Sequence, residues 1–257
     1  MCELFGFSSK NGDCINDYLK EFYRHSSKHP HGWGLACFDG REGFVEKEPV
    51  AAIKSNYLKE RLTQPIHVKA AFAHIRYATI GNVAYQNCHP FTGKDSGGRR
   101  WTLIHNGTIF DYPPLDELVR KQAGDTDSER IFLYIMKLIC EKEETLQRPL
   151  TPQERFELLD DMVIHMSRGN KLNLLIYDGE WMYVHTNYAN SLHFLQKQDA
   201  VFFSTLPLSR EDWNPVSFTT LLAYQDGKLV KKGTNHRQEY VDREENEKFL
   251  YQIFSDL

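Results

Sequence analysis

Two helix-patterned stretches stand in the middle of this chain, with strand-patterned sequence on both sides of them. In DTDSERIFLYIMKLICEKEE (125–144), Ile131, Phe132, Ile135, Leu138 and Ile139 recur at i, i+1, i+4, i+7 and i+8, the spacing of one packed helical face. Asp125, Thr126, Asp127 and Ser128 crowd its start, as capping residues do. In TPQERFELLDDMVIHMSRGN (151–170), Phe156, Leu159, Met162, Val163 and Met166 form a second stripe, with Gly169 as the stop. Before them, INDYLKEFYRH (15–25) reads as a short helix, GWGLACFDG (32–40) as a strand ending in an Asp-Gly turn, HVKAAFAHIRYATIG (67–81) as a strand running into a loop, and RWTLIHNG (100–107) as a strand ending in an Asn-Gly turn. Pro113 and Pro114 open a short helix that ends near Gly124. After them, LNLLIYDGEWMYVHT and LLAYQDGKLVKKG read as hairpins around Asp-Gly turns. Strands, then helices, then strands predict α+β layers rather than an alternating βαβ array.

A chain of 257 residues with no repeat and no low-complexity linker is read as a single domain, 1–257. Its 31 basic and 35 acidic residues leave a net charge of −4, and no basic stretch points to nucleic acid. No apolar run approaches the ~20 residues of a membrane helix, and no signal-peptide core precedes a cleavage site, so a cytoplasmic location is expected. The five cysteines (2, 14, 37, 88 and 140) are scattered and form no CxxC pair, so neither a disulfide framework nor a structural zinc site is expected. No GxGxxG or GxxxxGK[ST] stretch signals a dinucleotide or Walker site.

Four short stretches could carry chemistry. Cys2 follows the initiator methionine. Once Met1 is removed, the α-amine of Cys2 (free pKa about 8) lies within one residue of its thiol (about 8.5), so a nucleophile would contain its own base; the alternative is a packed cysteine. In AHIRYATIG, a strand period of two places His74 and Arg76 on one face, and the Arg76 fork suits either a substrate carboxylate or a structural acid. In LIHNGTI, the Asn106 amide and the Gly107 N–H could both donate to an oxyanion, or could form a plain type I′ turn. In GDTDSER, Asp127 could cap a helix or receive an ammonium. Together these describe a site for an α-amino acid: Arg for its carboxylate, Asp for its ammonium, and a thiol with two donors for a carbonyl farther along.

Cys2, HIRYATIG, CHPF, LIHNGTI and TDSE, in that order, resemble the class II glutamine amidotransferase domain of the N-terminal nucleophile hydrolases, over about residues 2–135. The resemblance is to its stand-alone branch, where HPHGWGLACFDG has a counterpart that often carries Asp at the place of His31. It implies a four-layer αββα sandwich. It also implies Cys2 as nucleophile with its freed α-amine as base, Asn106 and Gly107 as oxyanion hole, Arg76 on the substrate α-carboxylate, Asp127 on its α-ammonium, and Thr79 and His89 shaping the pocket, with no metal and no cofactor. The implied substrate is glutamine, cleaved to glutamate and ammonia through a γ-glutamyl thioester, with a separate synthase as ammonia acceptor. Tyr77 and Ile80 stand where sugar-synthase members carry Trp and, in some, His, and these departures bear on the acceptor. Hydrolysis of another γ-glutamyl amide, or amino-acid sensing without catalysis, are the alternative functions.

Overall fold

The computed structural model describes residues 2–39 and 42–246. Met1 and the Gly40 half of the first expected Asp-Gly turn lie outside them. In chain order the elements are β1 (Glu3–Cys14), α1 (Asn16–Arg24), β2 (Trp33–Asp39), β3 (Glu42–Glu48), α2 (Asn56–Arg61), β4 (His67–Ile75), β5 (Phe91–Lys94), β6 (Arg100–Thr108), α3 (Asp127–Leu146), α4 (Pro152–Met166), β7 (Lys171–Tyr177), β8 (Met182–His185), β9 (His193–Gln196), β10 (Ala200–Ser204), β11 (Asn214–Pro215), β12 (Leu222–Gln225) and β13 (Lys228–Lys232).

The strands form two antiparallel sheets, ordered β11-β9-β10-β1-β4-β2-β3 and β13-β12-β8-β7-β6-β5. Three apolar clusters fill the three spaces of a four-layer αββα sandwich. Phe5 and Phe7 of β1 pack with Leu19 and Phe22 of α1 and Leu58 of α2. On the opposite face of the same strands, Leu4, Phe72 and Phe203 meet Ile104, Leu175 and Val184 of the second sheet. The outer face of that sheet, with Leu103, Leu174 and Ile176, carries Ile131, Ile135 and Ile139 of α3 and Phe156, Leu159 and Met162 of α4. The strand period of two makes this arrangement possible, because alternate residues of β1 serve different layers. Gly6 lies in the middle layer, where a Cβ would fall 2.8 Å from Leu175 Cδ1, so the sheets approach closely there.

The two helical stripes are buried as expected, with Leu138 only partly so. The Asp-Gly hairpins form around Asp178–Gly179 and Asp226–Gly227, and Asp226 and Gly227 both adopt the positive φ that such turns require. Two expectations are corrected. Pro113–Leu118 is a six-residue 3₁₀ helix, and no α-helix continues from it toward Gly124. Asn106–Gly107 is not a turn: β6 continues through both residues to Thr108, pairing Asn106 with Asn173 and Gly107 with Leu172 of β7. Among the described residues no helix is long and apolar enough to cross a membrane.

Candidate functional site

Cys2 immediately precedes β1, and the register Glu3↔Ile75 sets it beside the end of β4. Its thiol donates to the Tyr77 carbonyl at 3.5 Å, and the Tyr77 N–H donates back to Sγ at 3.4 Å. Burial raises the thiol pKa. The Tyr77 amide and the positive charge of Arg76 oppose that rise, while the negative charge of Asp127 adds to it. Both charged groups expected at the site therefore act on this sulfur.

Arg76 is the first residue after β4 and is buried. Its guanidinium donates to the Asn82 carbonyl at 2.8 Å and to the Ile80 and Gly81 carbonyls at 2.9 Å. Three hydrogen bonds thus hold the returning loop, and among the described residues the rest of the five-donor fork is left for another acceptor. Thr79, half-buried, lies on that loop between Arg76 and Gly81.

The neighbouring sheet brings Asn106 and Gly107 to the same end of the sandwich. His74 of β4 donates through Nε2 to the His105 carbonyl of β6 at 3.2 Å, which ties the two sheets together there. Gly107 has no alternative residue: a Cβ would fall 1.9 Å from the Lys171 carbonyl and 2.5 Å from His105 Nε2. Leu172, its partner in the ladder, gives its own N–H to Asn187 Oδ1 at 2.8 Å, on the far side of β7. Gly107 and Leu172 are therefore a non-hydrogen-bonded pair, and the Gly107 N–H points away from β7. On that other side β5 pairs with β6 only as far as Leu103. The Gly107 donor thus faces a gap in the sheet edge. The Asn106 amide is buried, and among the described residues it makes no side-chain hydrogen bond.

Asp127 is the first residue of α3, and its neighbour Thr126 is the N-cap, accepting from the Glu129 N–H. The Asp127 carboxylate serves a different purpose. It accepts from the Ile109 N–H at 2.9 Å and the Ser128 N–H at 2.8 Å, which pins the strand end after Gly107 to the helix. His89 lies deeper. Its ring stacks on His74 at 3.9 Å, and among the described residues neither of its nitrogens has a partner. Desolvation lowers its pKa well below the ordinary imidazole value, so it is a neutral wall rather than a proton carrier.

Several residues near this site were not assigned a part in it from the sequence. His31 accepts the Ala78 N–H on Nδ1 at 2.9 Å, and its ring packs on Tyr77 at 5.2 Å. Glu3 is buried next to Cys2, with one oxygen 2.8 Å from His25 Nδ1. Asp125, Asn82 and Asn87 join the Arg76 loop to the start of α3. The HSSKHPH stretch was a visible signal for the histidines. The asparagines carried none, because their partners are distant in sequence.

Residues 1–200 match the family model of class-II glutamine amidotransferases. The chain is 30% identical to "Putative glutamine amidotransferase YafJ" of Escherichia coli over 80% of each protein. It is 27% identical to the uncharacterized protein MJ1515 of Methanocaldococcus jannaschii over 90% of this chain and 71% of that one. Among solved structures, a predicted glutamine amidotransferase from Pseudomonas aeruginosa superposes with a TM-score of 0.61 at 21% identity, covering 90% of this chain and all of that one. An allosteric regulatory enzyme of purine biosynthesis superposes with a TM-score of 0.70 at 17% identity, over 93% of this chain and 50% of that one. The αββα sandwich, the family model and the relatives agree: this chain belongs to the class II glutamine amidotransferases.

Proposed function

We propose that this protein, once Met1 is removed, hydrolyses the γ-amide of glutamine, with Cys2 as nucleophile and Arg76 and Asp127 holding the substrate's α-carboxylate and α-ammonium. The α-amine of Cys2 takes the thiol proton, and the sulfur adds to the γ-carbonyl carbon. The carbonyl oxygen becomes an oxyanion held by the Asn106 amide and the Gly107 N–H. As the intermediate collapses, the C–N bond breaks, the ammonium of Cys2 returns its proton to the departing nitrogen, and ammonia leaves. Water, deprotonated by the same amine, then adds to the γ-glutamyl thioester. Glutamate departs and the thiol is restored. Thr79 and His89 shape the pocket without exchanging protons.

The observation that carries this reading is the convergence at one end of the sandwich. The Cys2 thiol lies under the charges of both Arg76 and Asp127, and the Gly107 N–H is turned to the open side of β6. Release of the ammonia to a synthase on a separate chain belongs to the same proposal, as does a cytoplasmic location. In the glutamine–fructose-6-phosphate aminotransferase of Bacillus subtilis, the stretch that this chain matches is 20% of the protein's length.

The test is glutamate release from glutamine by protein whose N-terminus is verified as Cys2 by intact mass. Release that Cys2→Ala abolishes supports the mechanism, and full activity in Cys2→Ala refutes it. A panel of γ-glutamyl amides run beside glutamine identifies the leaving group. No adduct between Cys2 and a glutamine-shaped alkylator would point to a sensor instead.

A further inference from the structure

We propose that Asp125 and Asn87 are positioning residues that clasp the loop after Arg76 to the start of α3, and so fix the gap between the carboxylate-binding and ammonium-binding groups. This rests on the α-amino-acid site proposed above.

The clasp is built from both sides. Asp125 Oδ2 accepts from the Asn82 side-chain amide at 3.0 Å and from the Asn82 N–H at 3.3 Å. Asp125 Oδ1 accepts from the Asn87 amide, and the same Asn87 takes the Asp125 N–H on its Oδ1 at 3.0 Å. Asn87 also donates to the Asn82 carbonyl at 2.9 Å. That carbonyl is one of the three that hold the Arg76 fork. A closed ring of hydrogen bonds therefore runs from Arg76 through loop 80–82 to Asp125, which stands two residues before Asp127.

Two glycines permit the approach. Gly81 adopts a φ of +82°, and a Cβ there would lie 2.3 Å from Asp125 Oδ1. A Cβ on Gly124 would lie 2.1 Å from Asn87 Oδ1. The loop is thus held at hydrogen-bond distance by polar groups and admitted to that distance by missing side chains. An α-amino acid must present its carboxylate and ammonium at a fixed separation. The ring makes the separation of Arg76 and Asp127 a property of the folded protein rather than of a loose loop.

The experiment compares two alkylators of Cys2, read by peptide mass mapping on the processed full chain. One is a glutamine analogue with a γ-diazoketone, and the other is iodoacetamide, which needs no α-amino-acid site. Losing the Asp125 carboxylate should slow the glutamine analogue by about tenfold or more, as for loss of a charge-assisted hydrogen bond. Asp125→Ala should therefore react slowly with the analogue while iodoacetamide labels Cys2 at the wild-type rate. Asn82→Ala, on an exposed loop position, should give the same selective loss if Asp125→Ala folds poorly. Equal analogue rates in wild type and variants would overturn the clasp, and so would an equal slowing of both reagents. A wild-type protein that reacts with iodoacetamide but not with the analogue would overturn the glutamine site itself, and the clasp with it.

Discussion

Gly107→Ala is the most demanding test of the oxyanion geometry. The added Cβ would lie 1.9 Å from a main-chain carbonyl, that of Lys171, and 2.5 Å from a buried imidazole nitrogen. Ordinary carbon–oxygen contact begins at roughly 3.3 Å, so β6 and β7 would have to part by about 1.4 Å at this point. No flexible side-chain end can absorb that movement, because the obstacle is backbone. Parting by that much breaks the neighbouring ladder bonds, at about 1 kcal/mol each, on top of overpacking at about 1–3 kcal/mol, for a total of about 2–4 kcal/mol. For a domain of this size that is a fall in Tm of roughly 5–15 °C. It also moves the Gly107 N–H by more than 1 Å, and losing one oxyanion donor costs about 10²–10³ in kcat. The assay is thermal unfolding alongside glutamate release. Gly6→Ala is the control. Its Cβ would crowd the Cδ1 end of Leu175, at 2.8 Å and away from the site, and otherwise meet Phe203 at an ordinary 3.5 Å, so a loss of about 1 kcal/mol with kcat intact is expected. A Gly107→Ala protein with wild-type Tm and a kcat within about threefold of wild type would refute the geometry argued here.

Three further outcomes are expected. Burial holds the Cys2 thiol above its ordinary pKa, so the rate of its alkylation by iodoacetamide in protein that retains Met1 should still be climbing at about pH 9, and a plateau below pH 8 would contradict the placement. Asp178, fully buried, accepts from Arg155 Nε at 2.6 Å and the Tyr183 hydroxyl at 2.7 Å, so Asp178→Ala leaves two buried donors short of an acceptor while Glu180, 2.8 Å from Arg155, still pairs its charge; it should cost about 2–4 kcal/mol in urea unfolding while leaving kcat unchanged, since it sits at the far end of β7 from Gly107. His74 and His185 are buried and held neutral, each with its pKa lowered to about 3, against about 6.5 unfolded. The unfolded chain binds protons that the folded one refuses, so stability is full above pH 6.5 and should fall below it, by about 2 kcal/mol per imidazole at pH 5; an unchanged urea midpoint from pH 7 to pH 5 would exclude this.

The layers were legible because they follow from periodicity. The stripes of α3 and α4 and the Asp-Gly turns at 178–179 and 226–227 are local patterns with local causes. β1 was not marked as a strand, although ELFGFSS alternates between two apolar layers, because both of its faces are buried and the alternation is not one of polarity. Asn106–Gly107 carries the strongest short-range turn signal, yet it lies within a strand. What decides its conformation is the Lys171 carbonyl 64 residues away, packed where only glycine fits. Thr126 and Asp127 were equally good caps by composition. The extended backbone at Thr126 makes it the cap and frees the Asp127 carboxylate for Ile109. The type of each site residue was readable, but its partners were not. The Arg76 fork meets loop carbonyls, and the Asp125 clasp joins segments some 40 residues apart in sequence, contacts that no local pattern encodes.

The proposed base accords with the hydrogen bonds and protonation states around the thiol. His74 donates through Nε2 to a carbonyl and is too acidic to take up a proton at neutral pH, with a pKa near 3. His89 is likewise pushed well below the ordinary imidazole value by burial and by its imidazole and Arg76 neighbours. His105 is lowered by burial, and with Nε2 facing the Lys171 carbonyl and Nδ1 facing the Ser128 hydroxyl, its ring is already engaged. His31 accepts the Ala78 N–H on Nδ1, so its other nitrogen carries the hydrogen, and burial and Arg76 oppose a second proton. Asp127 has its carboxylate engaged by the Ile109 and Ser128 amides. These groups near Cys2 are thus engaged or held neutral, and Glu3 beside it has one oxygen 2.8 Å from His25 Nδ1 and the other 3.7 Å from His29 Nε2. The base in the proposed mechanism is the α-amine of Cys2 itself, which exists as a free amine only after Met1 is removed. The proposed chemistry is therefore tied to a processing event. Protein retaining Met1 should bind a glutamine analogue between Arg76 and Asp127 but release glutamate at a rate lower by about 10²–10⁴, the usual contribution of a positioned base. Undiminished turnover in a Met1-retaining preparation, verified by intact mass, would mean that a base exists which this arrangement of hydrogen bonds does not contain.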